Sequence, residues 1–276
     1  MPPASPASPA GARPEASAVS APPTLQAVDL QVAFGAIKAL DGVSLQIEPG
    51  QILSVIGPNG AGKSSLLNCL SGVYRPHAGQ VLFGGQDITR MAPHRRAALG
   101  IARTFQGIQS YPSLTVRQNI LAGFHCRMRT GLLGALLYWP RARREEQEFS
   151  RRAEEIIEFL ELEELRHMPV GELGYGQRKR VDLGRALALQ PRVLVMDEPM
   201  AGMSMEEKAD LARFILDIRA AHDTPIILVE HDMEVVMDIS DQVLVMEWGR
   251  AIALGTPAAV RSDPRVINAY LGAEAA

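Results

Sequence analysis

Three short apolar runs stand out along the chain: Ile52-Leu53-Ser54-Val55-Ile56, Val193-Leu194-Val195-Met196 and Ile226-Ile227-Leu228-Val229. Each stops at a glycine or at acidic and polar residues. Continuous apolar runs of this length predict strands buried on both faces, as in a parallel sheet, with functional groups at their C-terminal ends. Between the first two runs lies a long stretch of helical character. There Phe149, Ala153, Ile156, Ile157 and Leu160 recur on one helix face, and Arg151, Arg152, Glu154, Glu155 and Glu158 make the opposite, solvated face. Ser204 and Glu207 have the spacing of a capping box for a helix whose apolar face is Leu211, Phe214, Ile215 and Ile218. Strands alternating with helices predict an α/β fold, with the long helical stretch as an inserted subdomain. Ligands of such sheets sit beyond the carboxyl ends of the strands.

The N-terminal residues break this pattern. Residues 1–23 are almost entirely Pro, Ala, Ser and Gly. Such a segment buries too little apolar surface to offset its ordering entropy, so a disordered tail is expected over 1–24 and a folded domain over 25–276. It lacks the basic start and apolar run of a secretory signal. No stretch approaches the roughly 20 apolar residues that span a bilayer. Lys plus Arg number 28 and Asp plus Glu 31, for a net charge of −3. That balance offers no electrostatic reason to expect nucleic acid or an anionic membrane as partner. Cys69 and Cys126 make no disulfide framework, and the six histidines form no metal-binding pair.

Chemistry enters after the first strand. Gly57-Pro58-Asn59-Gly60-Ala61-Gly62-Lys63-Ser64-Ser65 has the spacing of a phosphate-binding loop between a strand and a helix. Its glycines let backbone N–H groups converge on phosphate oxygens, and the helix N-terminus adds positive partial charge. Lys63 can reach the β- and γ-phosphates, and the Ser64 hydroxyl can ligate Mg²⁺. Asp197 and Glu198 end the second predicted strand. Asp197 would hold Mg²⁺ directly or through water, and Glu198 would orient or deprotonate an attacking water. As plain turn residues the two acids would do neither. His231, after the third strand, is either structural or a further polar group beside the same crevice.

Leu173-Gly174-Tyr175-Gly176-Gln177 resembles the signature motif of ATP-binding-cassette (ABC) ATPases. Arg103-Thr104-Phe105-Gln106 looks like that family's glutamine loop, His231 like its switch histidine, and Phe34 like the aromatic that stacks on adenine. The resemblance runs from Leu25 to the C-terminus. It implies a RecA-like core over 25–106 and 191–276, an antiparallel β subdomain, and an α-helical subdomain with the signature over 107–190. It also implies catalysis by Glu198 with His231 and Gln106, and Mg²⁺ held by Ser64, Asp197 and Gln106. Two cassettes, identical or paralogous, would meet head to tail, so that Gly174, Tyr175, Gly176 and Gln177 of one close over ATP held by the other. Two positions depart from the family pattern. Gly174 stands where a serine is usual, and Ser204 where an aspartate is common, which puts hydrolysis rate rather than ATP binding in question.

Within the family, the segment from Glu230 to Met237, the tail from Gly255 to Gly272 and the enlarged helical insert resemble the ATP-binding subunits of branched-chain amino-acid importers. That implies transmembrane permease subunits on other chains, a substrate-binding protein acting indirectly, and a peripheral position on the cytoplasmic face of the inner or plasma membrane. The apolar stretch 131–140 either packs inside the helical subdomain or docks on such a permease. The ATPase of another ABC system, such as lipopolysaccharide export, and a catalytically weakened ATP-binding module are the alternatives.

Overall fold

The computed structural model describes residues 24–104, 106–127 and 140–274. Residues 1–23 of the expected tail, Phe105 and the stretch 131–139 lie outside the described residues; Thr24, the expected end of the tail, donates its N–H to the Ile47 carbonyl at 2.9 Å.

Two sheets organise the fold. Strands β1 (Leu25–Phe34), β2 (Ile37–Ile47), β4 (Ala78–Phe83) and β5 (Gln86–Asp87) form an antiparallel sheet in the order β2-β1-β4-β5. Strands β3 (Ile52–Ile56), β6 (Ile101–Arg103), β7 (Val193–Asp197), β8 (Ile226–Val229), β9 (Gln242–Glu247) and β10 (Arg250–Gly255) form the second, in the order β10-β9-β3-β8-β7-β6. All its pairings are parallel except β9 with β10. The three apolar runs are therefore adjacent strands, and their C-terminal ends share one edge.

Alternation along each strand divides the core between the two faces of this sheet. Val193, Val195, Ile227 and Val229 point to the face covered by the antiparallel sheet and α1 (Lys63–Ser71), among Leu30, Val43, Leu66 and Leu70. Leu194, Met196, Ile226 and Leu228 point the other way, into a cluster built with helices α3 (Val116–Gly123), α4 (Pro140–Phe159), α5 (Tyr175–Ala188) and α6 (Met205–His222). Among the described residues the helical segment thus shows no separate core; Ile120, Ile157 and Val181 are buried in the same cluster as Leu194 and Leu228.

The expected α4 stripe faces inward, with Ala153, Ile157 and Leu160 buried and Phe149 and Ile156 packed at its margin. The charged face is not wholly solvated, because Glu154 pairs with Arg117 and Arg166. The capping box also forms: Ser204 Oγ accepts from the Glu207 N–H at 3.2 Å, and Glu207 Oε2 accepts from the Ser204 N–H at 2.8 Å. Leu211, Phe214, Ile215 and Ile218 are all buried beneath it.

Arg96, on the short helix α2 (Pro93–Leu99), carries no sequence signal of burial yet is almost fully enclosed. Its guanidinium donates to the Cys69 and Leu70 carbonyls at 2.6 and 2.8 Å, and also to those of Thr89 and Met91. A cation on the last carbonyls of α1 satisfies orphan acceptors and complements the helix dipole.

Candidate functional site

The phosphate loop is held by its neighbours on both sides. Gly57 leaves β3 at φ +148°, and a Cβ there would lie 2.1 Å from the Met246 carbonyl oxygen of β9. Gly62 has φ +100°, and its Cβ would lie 2.4 Å from the Ala39 carbonyl oxygen of β2. Only glycine fits where backbone meets backbone this closely. Gly57→Ala is therefore expected to cost about 3 kcal/mol or more of stability. A Tm within a degree of the parent, read by thermal unfolding, would contradict that close approach.

Gly62 caps α1 without a side-chain hydrogen bond, so the first N–H groups of the helix stay open to an anion. Ser64 is exposed at that terminus and Ser65 half-buried. Lys63 is buried; its Nζ bridges the loop, donating to the Gly57 carbonyl at 2.6 Å and the Pro58 carbonyl at 3.1 Å. Burial holds its pKa below the ordinary lysine value, against the opposing pull of Glu198 and Asp197. Asn59 and Gly60 form the exposed crest of the loop. Phe34 ends β1 half exposed, its ring edge-on to Tyr74 with centroids 5.3 Å apart.

The predicted catalytic residues converge. Glu198 follows β7 in the left-handed region at φ +46°, with its N–H on the Val229 carbonyl. Its Oε2 accepts from Gln106 Nε2 at 2.8 Å, and its Oε1 lies 2.8 Å from His231 Nε2. One carboxylate is thus gripped by the ends of three strand segments: β6, β7 and β8. Asp197 is buried beside it, with Oδ2 paired to Arg103 Nη2 at 2.9 Å. Its Oδ1 has no hydrogen-bond partner among the described residues. An orphaned carboxylate oxygen at the end of a buried strand is a ready acceptor of a cation or its water shell.

The signature residues sit elsewhere, at the start of α5 beside α6. A Cβ on Gly176 would lie 2.2 Å from Glu207 Oε1, and one on Gly202 would lie 3.4 Å from the Tyr175 ring. Gly174 caps α5 without a side-chain oxygen, and its N–H donates to Gln177 Oε1 at 3.0 Å. Gln177 therefore turns back on its own helix. Tyr175 remains exposed.

Comparison with known proteins decides the family. Residues 40–201 match the ABC transporter family, and residues 252–276 match the branched-chain amino acid ATP-binding cassette transporter family. The chain belongs to the ABC transporter family. Curated relatives include the high-affinity branched-chain amino acid transport ATP-binding proteins BraF of Pseudomonas aeruginosa and LivG of Escherichia coli K12. Each is 39% identical over 250 residues, spanning 91% of this chain and 98% of the relative. Among solved structures, a nucleotide-free cassette from an ABC transporter superposes with a TM-score of 0.78 at 36% identity, covering 90% of this chain and 98% of that one. A cassette of an ABC transporter in its ADP conformation gives 0.80 at 37%, covering 91% and 99%. The protein is accordingly an ATP-binding ATPase with the α/β phosphate-loop fold of this family.

Three residues of the cassette make contacts that had no sequence signal. Glu230 is buried, accepting from the Met200 N–H at 2.7 Å and the His231 N–H at 3.1 Å, and burial pushes its pKa up. It braces the loop after Glu198 and the backbone of His231 together. Arg103 caps Asp197 and also donates to Asn68 and Ser71 on α1. Tyr270, on the C-terminal helix (Pro264–Glu274), packs against the cluster that holds Ile56 of β3 and Val245 of β9, and burial raises its pKa to about 12. The C-terminal segment matched to the branched-chain transporters thus packs beside the end of β3, the strand that leads into the phosphate loop.

Proposed function

We propose that this cassette energises the import of branched-chain or other hydrophobic amino acids through a membrane ABC transporter. The observation that carries this reading is one chain that joins a full set of ATP-site residues to a C-terminal segment of the branched-chain type. The names of the relatives at 39% identity speak for amino acids over lipopolysaccharide export.

In this reading Gly57, Asn59, Gly60, Gly62, Lys63, Ser64 and Ser65 cradle the phosphates, and Phe34 stacks on adenine. Ser64 and Asp197 fit Mg²⁺, since one hydroxyl and one orphaned carboxylate oxygen leave the remaining positions to water and phosphate; Gln106, whose amide donates to Glu198, would be the third ligand. Bound there, the ion would supply charge neutralisation to the phosphates. Glu198 takes the proton of the attacking water. Gln106 and His231 hold its carboxylate in place, which fixes direction before the proton moves.

The core spans 25–106 and 191–276, and the helical subdomain with the signature 107–190. Gly174, Tyr175, Gly176 and Gln177 close over ATP bound to a second cassette, and the open N-terminus of α5 suits an anion. No helix among the described residues is long and apolar enough to cross a membrane. Permease subunits on other chains would hold the cassette at the cytoplasmic face, with a binding protein delivering the solute.

The test is purification of the full chain with its membrane subunits and reconstitution into proteoliposomes. ATP-dependent uptake of labelled leucine, isoleucine or valine is the expected result. Partner subunits that move no amino acid would overturn the assignment.

A further inference from the structure

We infer that Lys179, Asp182 and Arg185 staple the glutamine loop to the signature helix, and that Lys179 is a positioning residue for Gln106. The inference rests on the role proposed above for Gln106. The three side chains recur every third residue along α5 and grip the backbone of one loop. Lys179 Nζ donates to the Gln106 carbonyl at 2.8 Å. The Gln109 N–H donates to Asp182 Oδ2 at 2.9 Å. Arg185 donates to the Gln109 carbonyl, and its guanidinium lies 5.0 Å from the Tyr111 ring centroid.

Burial separates Lys179 from an ordinary solubilising lysine. It is 5% exposed, within a run of three basic residues on a helix surface. Taking an ammonium out of water costs several kcal/mol unless it is paired. Desolvation lowers its pKa, and the carboxylates of Asp182, Glu230, Glu198 and Asp197 all pull the other way. Its hydrogen bond goes to the main chain of Gln106, the residue whose side chain holds Glu198. Pinning that carbonyl limits where the amide of the same residue can reach.

The staple joins two sites. The N-terminus of α5 carries the signature, which serves the ATP of the second cassette, and one turn further on the same helix holds Gln106, which serves this chain's own ATP. A helix is stiff over that length. Movement of the signature is thereby transmitted to the carboxylate that Gln106 orients.

The test uses the full chain and compares Lys179→Met, Lys179→Arg, Gln106→Ala and the Lys179→Met/Gln106→Ala double variant. Lys179→Met should lower kcat about tenfold, the scale of one charge-assisted hydrogen bond, with KM for ATP within about twofold of the parent. Lys179→Arg should restore most of the loss, because it keeps a buried cationic donor. The double variant should be no slower than Gln106→Ala, since both act through one group. Amide hydrogen exchange over residues 106–111 should quicken in Lys179→Met before any nucleotide is added. A parental rate in Lys179→Met, a multiplicative loss in the double variant, or unchanged exchange would overturn the staple. If Lys179→Met does not fold, Asp182→Ala stands in for it, with the same exchange change expected and unchanged exchange counting against it. A parental rate in Gln106→Ala would instead overturn the role given to Gln106, which the exchange measurement does not depend on.

Discussion

Glu198→Gln is expected to lower ATP turnover by about 10²–10⁴-fold, the range that a lost general base produces. The local geometry makes this a replacement of chemistry without loss of shape. Glu198 uses both oxygens, one for the Gln106 amide and one for His231 Nε2, each at 2.8 Å. A glutamine fills the same volume but keeps one acceptor and exchanges the other for a donor. It cannot accept a proton from water, while its oxygen can still accept from the Gln106 amide and its NH2 can donate to His231 Nε2 in the tautomer that leaves that nitrogen unprotonated. ATP affinity should hold, because the phosphate loop and Lys63 are untouched. With binding intact and hydrolysis removed, the ATP-closed pair of cassettes should accumulate. Size-exclusion chromatography with and without MgATP reads that pair, and phosphate release reads the turnover. Hydrolysis at the parental rate would remove Glu198 from its role as base.

Lys63→Ala is expected to act one step earlier, on binding itself. Lys63 is buried in the loop with its ammonium on the Gly57 and Pro58 carbonyls. Burial favours loss of its proton, while Asp197 and Glu198 favour keeping it. A desolvated cation at this position interacts strongly with a polyanion, since little water screens it. Its removal should cost about 2–4 kcal/mol of binding free energy, or ~30- to 1,000-fold in Kd for ATP. Alanine is favoured at a helical position, so the fold should survive and the loss should read as affinity alone. Titration calorimetry with ATP checks it, with thermal unfolding as the control. An unchanged Kd would take Lys63 out of the cradle. The two variants separate the halves of the site: one keeps ATP without turnover, and the other loses ATP.

Ser204 and Gly174, the two departures from the family pattern, have different local meanings. Ser204 closes the capping box with Glu207, a structural task that an aspartate could also perform. Glu207 in turn lies against Gly176, so the cap of α6 is also the floor under the signature. Gly174 leaves the start of α5 without a hydroxyl, and backbone N–H groups remain to meet an anion. Neither position touches Lys63, Asp197, Glu198 or His231 in its own chain through any hydrogen bond among the described residues.

Much of the fold and site was legible in the residues because it depends on short-range rules. Continuous apolar runs marked β3, β7 and β8, a 3.6-residue period marked the inner face of α4, and Ser204 with Glu207 marked the start of α6. The phosphate loop could be read as a loop because glycine spacing and the following Lys-Ser act within nine residues of chain. What could not be read in this way depends on pairings between distant segments. Gln106 and Glu198 are 92 positions apart, and Glu198 and His231 33. They meet only because β8 and β7 lie between β3 and β6, an order unlike their order along the chain. The burial of Arg96, Lys179 and Glu230 is decided in the same way. Each is a charged residue that composition assigns to solvent, enclosed because backbone groups from other segments satisfy it. The sequence by itself determined which chemical groups the protein carries and on which strand ends they sit, since local periodicity and spacing are properties of contiguous residues. Tertiary structure alone decided which of those groups touch, since contact depends on strand order and on where buried charges find their partners.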